Sequence, residues 1–317
     1  MNVDADAAAG PTAATTAAEV GREALPVSPN PLGLEGIEFV EYATPRPQAL
    51  GHVLETLGFR PVARHRSREV LLYRQGAMNI VVNAHGLPPA ATPEDHAPRI
   101  VAIALRVRDA AAAYRCVVEL GAWPVAVHVQ PMELHIPGVH GVGASHLYFV
   151  DRWREFSIYD VDFVPIPTVE PVVPALAGLH WFGVVQYVGA ARAADWSAFY
   201  GDLFGFRPLA PGQSFGILPS GRVLRSPCGS FFLQLIEPAP GGDDTFSSER
   251  LQRVAFGVPD VTAAVQALRA RGVEFVEDRV LHSSERGALT RTWLGDPADS
   301  ASGTGGGVCF ELVHHAA

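Results

Sequence analysis

Three polar residues in the second half of the chain, Gln234, Arg253 and Glu311, each interrupt a run of apolar residues. Successive side chains of a strand point to opposite faces, so alternation places these three, together with Gly183, on one face of a curved sheet. A guanidinium can form a two-point ion pair with a glutamate or bind the carboxylate of a ligand, and a glutamine adds hydrogen bonds. The pattern predicts a concave surface, called here the C-terminal cup, in which Arg253 and Glu311 form an ion pair and an anionic ligand can bind.

The strands that carry these residues belong to a repeat. Four short apolar strands are each followed by an Ala-rich helix, a glycine and a further apolar stretch, and such self-similarity marks a repeated supersecondary unit. The strands are Gly36–Ala43, Ile100–Val107, Phe182–Val188 and Leu251–Val258, and the glycines are Gly58, Gly121, Gly205 and Gly272. A helix often ends on a residue with positive φ, which glycine adopts without a steric penalty. Within the third strand, alternation sends Phe182 to the helix side of the sheet.

Composition divides the chain into four segments. Residues 1–29 are rich in Ala and Thr without apolar periodicity, which predicts a disordered tail. Residues 164–174 contain four prolines, which favours a stiff linker. This linker separates an N-terminal domain, residues 30–163, from a C-terminal domain, residues 175–317. Each domain then contains two repeats that share one curved sheet, so the predicted fold class is α+β.

The bulk properties exclude several partners. A net charge of −9 argues against nucleic acid, because phosphate binding needs a basic surface. The chain has no uninterrupted apolar run of the roughly 18 residues that a membrane span needs, so no membrane partner is expected. The cysteines, Cys116, Cys228 and Cys309, are scattered singly, which is typical of reduced thiols in a cytoplasmic protein. Homo-oligomer formation stays open.

A series of segments carries a family resemblance. In the first half they are Asn30–Phe39, Ala63–Ser67, Leu72–Gly76, Gln130–Leu134, Leu147–Arg152 and Ser157–Phe163, and in the second half they are Trp196–Tyr200, Leu203–Arg207 and Val308–Leu312. In these segments the chain resembles the bacterial 4-hydroxyphenylpyruvate dioxygenases of the vicinal-oxygen-chelate superfamily. The resemblance implies two vicinal-oxygen-chelate domains, each of paired βαβββ repeats that form a curved mixed sheet cup. It also implies that the first domain is structural and that the second carries the chemistry.

In that family two histidines and a glutamate hold Fe(II), while the 2-oxo acid of the substrate occupies the open positions. The glutamate corresponds to Glu311. The second ligand belongs to a Gln-His-Val-Ala-Phe pattern that reads Gln-Arg-Val-Ala-Phe here, so its position carries Arg253, which has no lone pair to offer a cation. A gapless alignment puts the first ligand on Gly183, with His180 nearby.

Two histidines could replace the missing ligands. His315 has the same strand parity as Glu311 and therefore faces the cup. His180 and Gly183 have opposite parity, so His180 faces away unless the strand contains a β-bulge. Glu311, His180 and His315 are therefore the candidate metal ligands that compete with the ion pair.

Three functions follow as hypotheses. In the first, the chain is a dioxygenase-like protein with a degenerate iron site and no cofactor, and Arg253, Gln234 and Glu311 bind an aromatic or 2-oxo acid. In the second, the chain is an Fe(II)-dependent dioxygenase of 4-hydroxyphenylpyruvate or a related arylpyruvate, with His180 and His315 restoring the site. In the third, it is a structural or assembly protein without a ligand.

Overall fold

The structure is a computed structural model. It describes residues 29–85, 97–126, 134–210, 221–238, 248–276, 282–283, 286–291 and 307–316. The predicted N-terminal tail lies outside these ranges except for Pro29. No helix within the described part of the chain has the length and apolar character needed to cross a bilayer.

The first half contains two repeats, and in each repeat the first and the last strand are parallel. The elements are β1 (Leu34–Ala43), α1 (Pro47–Thr56), β2 (Arg60–His65), β3 (Val70–Gln75) and β4 (Met78–Asn83), then β5 (Arg99–Val107), α2 (Ala110–Glu119), β6 (Gly138–His140) and β7 (His146–Val150), followed by α3 (Ile158–Asp162) and β8 (Phe163–Pro165). β1 is parallel to β4, and β5 is parallel to β7. The antiparallel pair β1–β5 joins the two repeats into one sheet.

The second half follows the same plan. The elements are β9 (His180–Tyr187), α4 (Ala193–Phe204), β10 (Arg207–Pro208), β11 (Arg222–Arg225) and β12 (Phe232–Ile236), then β13 (Arg250–Val258), α5 (Val261–Arg269), β14 (Glu274–Phe275), β15 (His282–Ser283), β16 (Gly287–Arg291) and β17 (Phe310–His314). β9 is parallel to β12 and β13 is parallel to β17, while β9 and β13 are antiparallel. The predicted α+β architecture, in which paired repeats of a strand, a helix and further strands form a mixed sheet, is confirmed.

The glycine corners have the conformation that the sequence predicts. Gly58, Gly121, Gly205 and Gly272 have φ values of 101°, 101°, 78° and 92°. The chain therefore turns back from each helix into the next strand at a residue that tolerates the left-handed region.

Each sheet has a helix side and a cup side. On the helix side, one continuous core contains the inner faces of the helices and every second strand residue, including Val254, Phe256, Phe310 and Leu312. The two halves are also joined, since Leu251 of β13 pairs with Ile100 of β5. The helix side is thus a single packed layer.

The first two residues of the segment predicted as a linker lie in a strand. Val164 and Pro165 belong to β8, whose residues pair with β2. Proline is tolerated in an edge strand because its missing N–H faces no partner there. Further along, the carbonyl of Val173 accepts a hydrogen bond of 2.7 Å from the Gly76 amide, so this segment packs against the first half.

Candidate active site

The C-terminal cup contains a buried ion pair between β13 and β17. The register aligns Ala255 with Glu311, which brings Arg253 and Glu311 to neighbouring positions on the cup side. Arg253 Nε donates to Glu311 Oε2 at 3.0 Å, and the two side chains are only 5% and 2% exposed. The ion pair expected from strand alternation is therefore present. Because both charges are removed from water, each depends on the other for compensation.

Arg253 has donor capacity that this pair does not use. Its Nη2 is buried and has no hydrogen-bond partner among the described residues. A buried donor without an acceptor costs about 1–3 kcal/mol, so an additional acceptor is favoured at this position. A ligand carboxylate or keto oxygen has the required chemistry.

Gln234 and Gly183 lie on the same side as the pair, but little open space remains between them. The cavity that they line with Val185 and Glu311 has a volume of about 10 Å³, which is room for about one water molecule. The rings of Phe182 and Phe232 fill the cup, stacked with their centroids 4.8 Å apart. The cup thus brings the predicted polar residues together around an apolar plug.

A β-bulge in β9 explains why Phe182 lies in the cup. Gly257 pairs with His180 and Phe256 with Trp181, but Ala255 pairs with Gly183, so Phe182 is the extra residue. Phe182 packs with Phe232 on the cup side, and its predicted position on the helix side is wrong. An extra residue reverses the alternation of everything before it. No local pattern in the sequence marks this bulge, because it depends on how β9 pairs with β13.

The bulge also turns His180 to the cup side, where it meets His315. His180 Nε2 and His315 Nδ1 are 3.1 Å apart, and His180 Nδ1 is 3.0 Å from the Gly178 carbonyl. The His315 ring contacts Phe182 edge-on, with centroids 5.4 Å apart. The structure therefore brings the two histidines together at one end of the cup.

Glu311 is far from this histidine pair. It precedes His315 by four residues along the strand direction, which corresponds to about 13 Å at the rise of an extended strand. The structure thus separates the three candidate metal ligands into two places. Among the residues that the structure describes, no group of three or more His, Cys, Asp or Glu side chains could hold a metal ion.

The residues at the family positions do not fit ferrous iron. Arg253 offers only N–H donors where a histidine ligand is needed. At Gly183 a Cβ would overlap the carbonyl oxygen of Phe232, so no histidine fits on the present backbone. Of the three positions, Glu311 alone has a metal-binding side chain, and it is paired with Arg253.

The environment of His315 in the histidine pair makes the stability of the protein depend on pH. Burial, followed by the charges of His180, Arg225 and His314, lowers the pKa of His315. The folded state therefore favours neutral His315, whereas the unfolded chain takes up a proton near its ordinary pKa of about 6.5. The contribution of neutral His315 to the free energy of unfolding is therefore fully present above about pH 6.5, and it is lost as the pH decreases through the lowered pKa.

We therefore expect His315→Asn to flatten the fall in melting temperature between about pH 7.5 and about pH 5. Part of the pH dependence of the melting temperature should remain in the variant, because burial also lowers the pKa of His146. Thermal melts of both proteins across this pH range measure the effect. Parallel curves for the variant and the parent would contradict the assignment of this slope to His315.

Comparisons with known proteins agree with the architecture. The model of the family described as hydroxyphenylpyruvate dioxygenase, N-terminal, matches residues 28–164. The model of the glyoxalase/bleomycin resistance protein/dioxygenase superfamily matches residues 179–299.

Two curated relatives and one solved structure illustrate the range of similar proteins. A 4-hydroxyphenylpyruvate dioxygenase of Pseudomonas sp. (strain P.J. 874) is 36% identical over 262 residues, which cover 78% of this chain and 72% of the relative. A 3-dehydroshikimate dehydratase of Pseudomonas aeruginosa is 35% identical over 271 residues, which cover 79% of this chain but only 41% of that protein. A solved fusion of a xylose isomerase-like TIM barrel with a 4-hydroxyphenylpyruvate dioxygenase aligns with a TM-score of 0.65 and 26% identity, covering 90% of this chain and 49% of the fusion.

The paired repeats, the matched domain models and the identity across most of a dioxygenase lead to one conclusion. The chain belongs to the 4-hydroxyphenylpyruvate dioxygenase family, within the glyoxalase/bleomycin resistance protein/dioxygenase superfamily.

Proposed function

We propose that this chain is a family member that does not use iron and that its C-terminal cup binds an aromatic or 2-oxo acid. The ion pair between Arg253 and Glu311 carries the proposal, because it places a permanent positive charge at a position where the family has a metal ligand. Iron-dependent oxygen chemistry then has no coordination site in this cup.

The same arginine supports binding of an acid. The buried Nη2 of Arg253 needs an acceptor, and a carboxylate provides one with the matching charge. Gln234 lines the cavity of the cup together with Glu311, the partner of Arg253, and can donate or accept a further hydrogen bond. In this proposal the group that chelated iron in the family, the 2-oxo acid, is held by side-chain donors.

Size sets a condition on binding. A cavity of about 10 Å³ does not admit an arylpyruvate, so the Phe182–Phe232 pair must move aside for the ligand. The ring of an aromatic ligand would then replace the stacking that these phenylalanines lose, which favours aromatic acids over small aliphatic ones.

Anaerobic reconstitution with Fe(II) followed by metal analysis tests the loss of iron. We expect far less than one iron per chain after desalting, and no oxygen uptake when 4-hydroxyphenylpyruvate is added. Stoichiometric iron together with substrate-dependent oxygen uptake would overturn this part of the proposal and establish the dioxygenase instead.

Thermal shifts with a panel of arylpyruvates and aromatic acids test the binding. A ligand at 100 times its Kd stabilises the native state by about 2.7 kcal/mol, so binding should raise the melting temperature. The matched variant carries Arg253→Met and Glu311→Gln together, which removes both charges at similar volume, and it should lose the shift. A panel that leaves the unmodified protein unshifted would exclude acid binding and favour a structural or assembly role.

A further inference from the structure

The N-terminal half contains the larger of the two cups. Its cavity has a volume of about 170 Å³, whereas the cavity of the C-terminal cup measures about 10 Å³. An engineered protein cavity of about 150 Å³ binds benzene. The N-terminal cup is therefore large enough for a molecule with a single ring.

The repeat symmetry explains the difference in volume. Strand registers make four positions equivalent between the halves: Glu41 with Val185, Val81 with Gln234, Ala102 with Arg253, and Tyr148 with Glu311. The first half has an alanine where the second half has the arginine of the ion pair. This alanine leaves free the space that the arginine side chain occupies in the second half, and the cavity between the strands is larger here.

Two polar groups point into the open cup from adjacent walls. Glu41 Oε1 accepts a hydrogen bond of 2.7 Å from Asn83 Nδ2. The Tyr148 hydroxyl lies 3.0 Å from His146 Nδ1. Burial, and then the charge of Glu41, raises the pKa of Tyr148 to about 12. Burial likewise raises the pKa of Glu41. Both groups are thus suited to exchange hydrogen bonds with a neutral hydroxyl.

The remaining walls suit a ring. The apolar lining includes Phe39, Val70, Val81, Leu134, Ile136, Ile158 and Phe163. Partly exposed Arg68 is the cationic residue of the lining, and its charge acts on both Glu41 and Tyr148. The lining also contains the carboxylate of Asp162, which accepts a hydrogen bond of 3.1 Å from the Leu134 amide. An apolar slot with hydroxyl-binding groups fits a phenol.

We infer that the N-terminal cup binds a single-ring phenol, with the hydroxyl hydrogen-bonded to Glu41 and Tyr148 and the ring held between apolar walls. The site is separate from the C-terminal cup and does not rest on the function proposed for it. It also assigns a ligand to the half of the chain that the family resemblance implies to be structural.

Titration calorimetry of the full chain with phenol, 4-hydroxybenzoate, benzoate and toluene tests the inference. We expect 4-hydroxybenzoate and phenol to bind more tightly than their counterparts without the hydroxyl. Removing one hydrogen bond through Tyr148→Phe should weaken the phenols by roughly five- to tenfold and leave toluene unaffected. Equal affinities for hydroxylated and unhydroxylated rings, or no binding of any phenol at millimolar concentration, would overturn the inference.

Two control proteins locate the site. Tyr200→Phe removes a buried hydroxyl that bonds to Gln186 in the other half, and it should leave phenol affinity unchanged. The double change of Arg253→Met with Glu311→Gln should also leave it unchanged, because it alters only the C-terminal cup. Loss of phenol binding in that double variant would place the ligand in the C-terminal cup and refute the N-terminal site, whatever the outcome for arylpyruvates.

Discussion

Replacing Arg253 with alanine is expected to lower the free energy of unfolding by about 3–5 kcal/mol, because Glu311 would remain as a buried charge without its partner. The pair is formed at 3.0 Å between side chains that are almost fully removed from solvent. Urea denaturation followed by circular dichroism measures the loss.

Two control variants show whether the destabilisation comes from the uncompensated charge of Glu311 or from the loss of the arginine side chain itself. Changing Arg253→Met and Glu311→Leu together should leave stability within about 1 kcal/mol of the parent or increase it, because apolar residues of similar volume replace a buried pair without penalty. Arg154→Ala removes a pair with Glu35 whose side chains are 72% and 30% exposed, and it should cost less than about 1 kcal/mol. If Arg253→Ala were as mild as Arg154→Ala, the guanidinium would not be compensating a buried carboxylate.

Gly183→Ala is expected to be comparably destabilising for a steric reason. A Cβ at this position would overlap the carbonyl oxygen of Phe232, which is the residue paired with Gly183 across β9 and β12. The two strands would have to separate, which we expect to cost about 3 kcal/mol or more. For a chain of 317 residues that corresponds to a fall in melting temperature of roughly 4–5 °C.

Gly201→Ala is the matched control, with an effect of opposite sign. Gly201 lies within α4, and the nearest atom to its added Cβ is the Phe206 carbonyl oxygen at an ordinary 3.6 Å. Alanine in a helix interior should stabilise by about 0.5–1 kcal/mol relative to glycine. A Gly183→Ala protein that melts with the parent would show that β9 and β12 can separate easily and that a histidine could be introduced at this position.

The parts of the structure that the sequence predicted depend on local rules. Glycine corners require only a helix end and a residue that accepts positive φ, and all four occur where the repeat places them. The Arg253–Glu311 pair follows from side-chain alternation on two strands that the repeat makes neighbours. The fold and the polar residues of the cup could therefore be predicted from one sequence.

The features that could not be predicted from the sequence depend on pairing between strands that are distant along the chain. The position of Phe182 was mispredicted because the bulge is set by the register of β9 against β13. The volumes of the two cups depend on side chains from several strands, so neither the Phe182–Phe232 plug nor the open cup beside Glu41 is visible in a linear pattern. The meeting of His180 with His315 has the same origin.

The additional residue in β9 also affects how this strand corresponds to those of relatives. Residues before Phe182 face the side of the sheet opposite to the one that strict alternation from Gly183 predicts. Residues after Gly183 face the predicted side. In a homologue whose strand has no bulge, the residue aligned with Trp181 would therefore face the cup, whereas Trp181 faces the helix side here. Correspondence in this strand must therefore be judged by the direction of the side chain, and a match by number to a residue before Phe182 does not show that the two positions are equivalent in space.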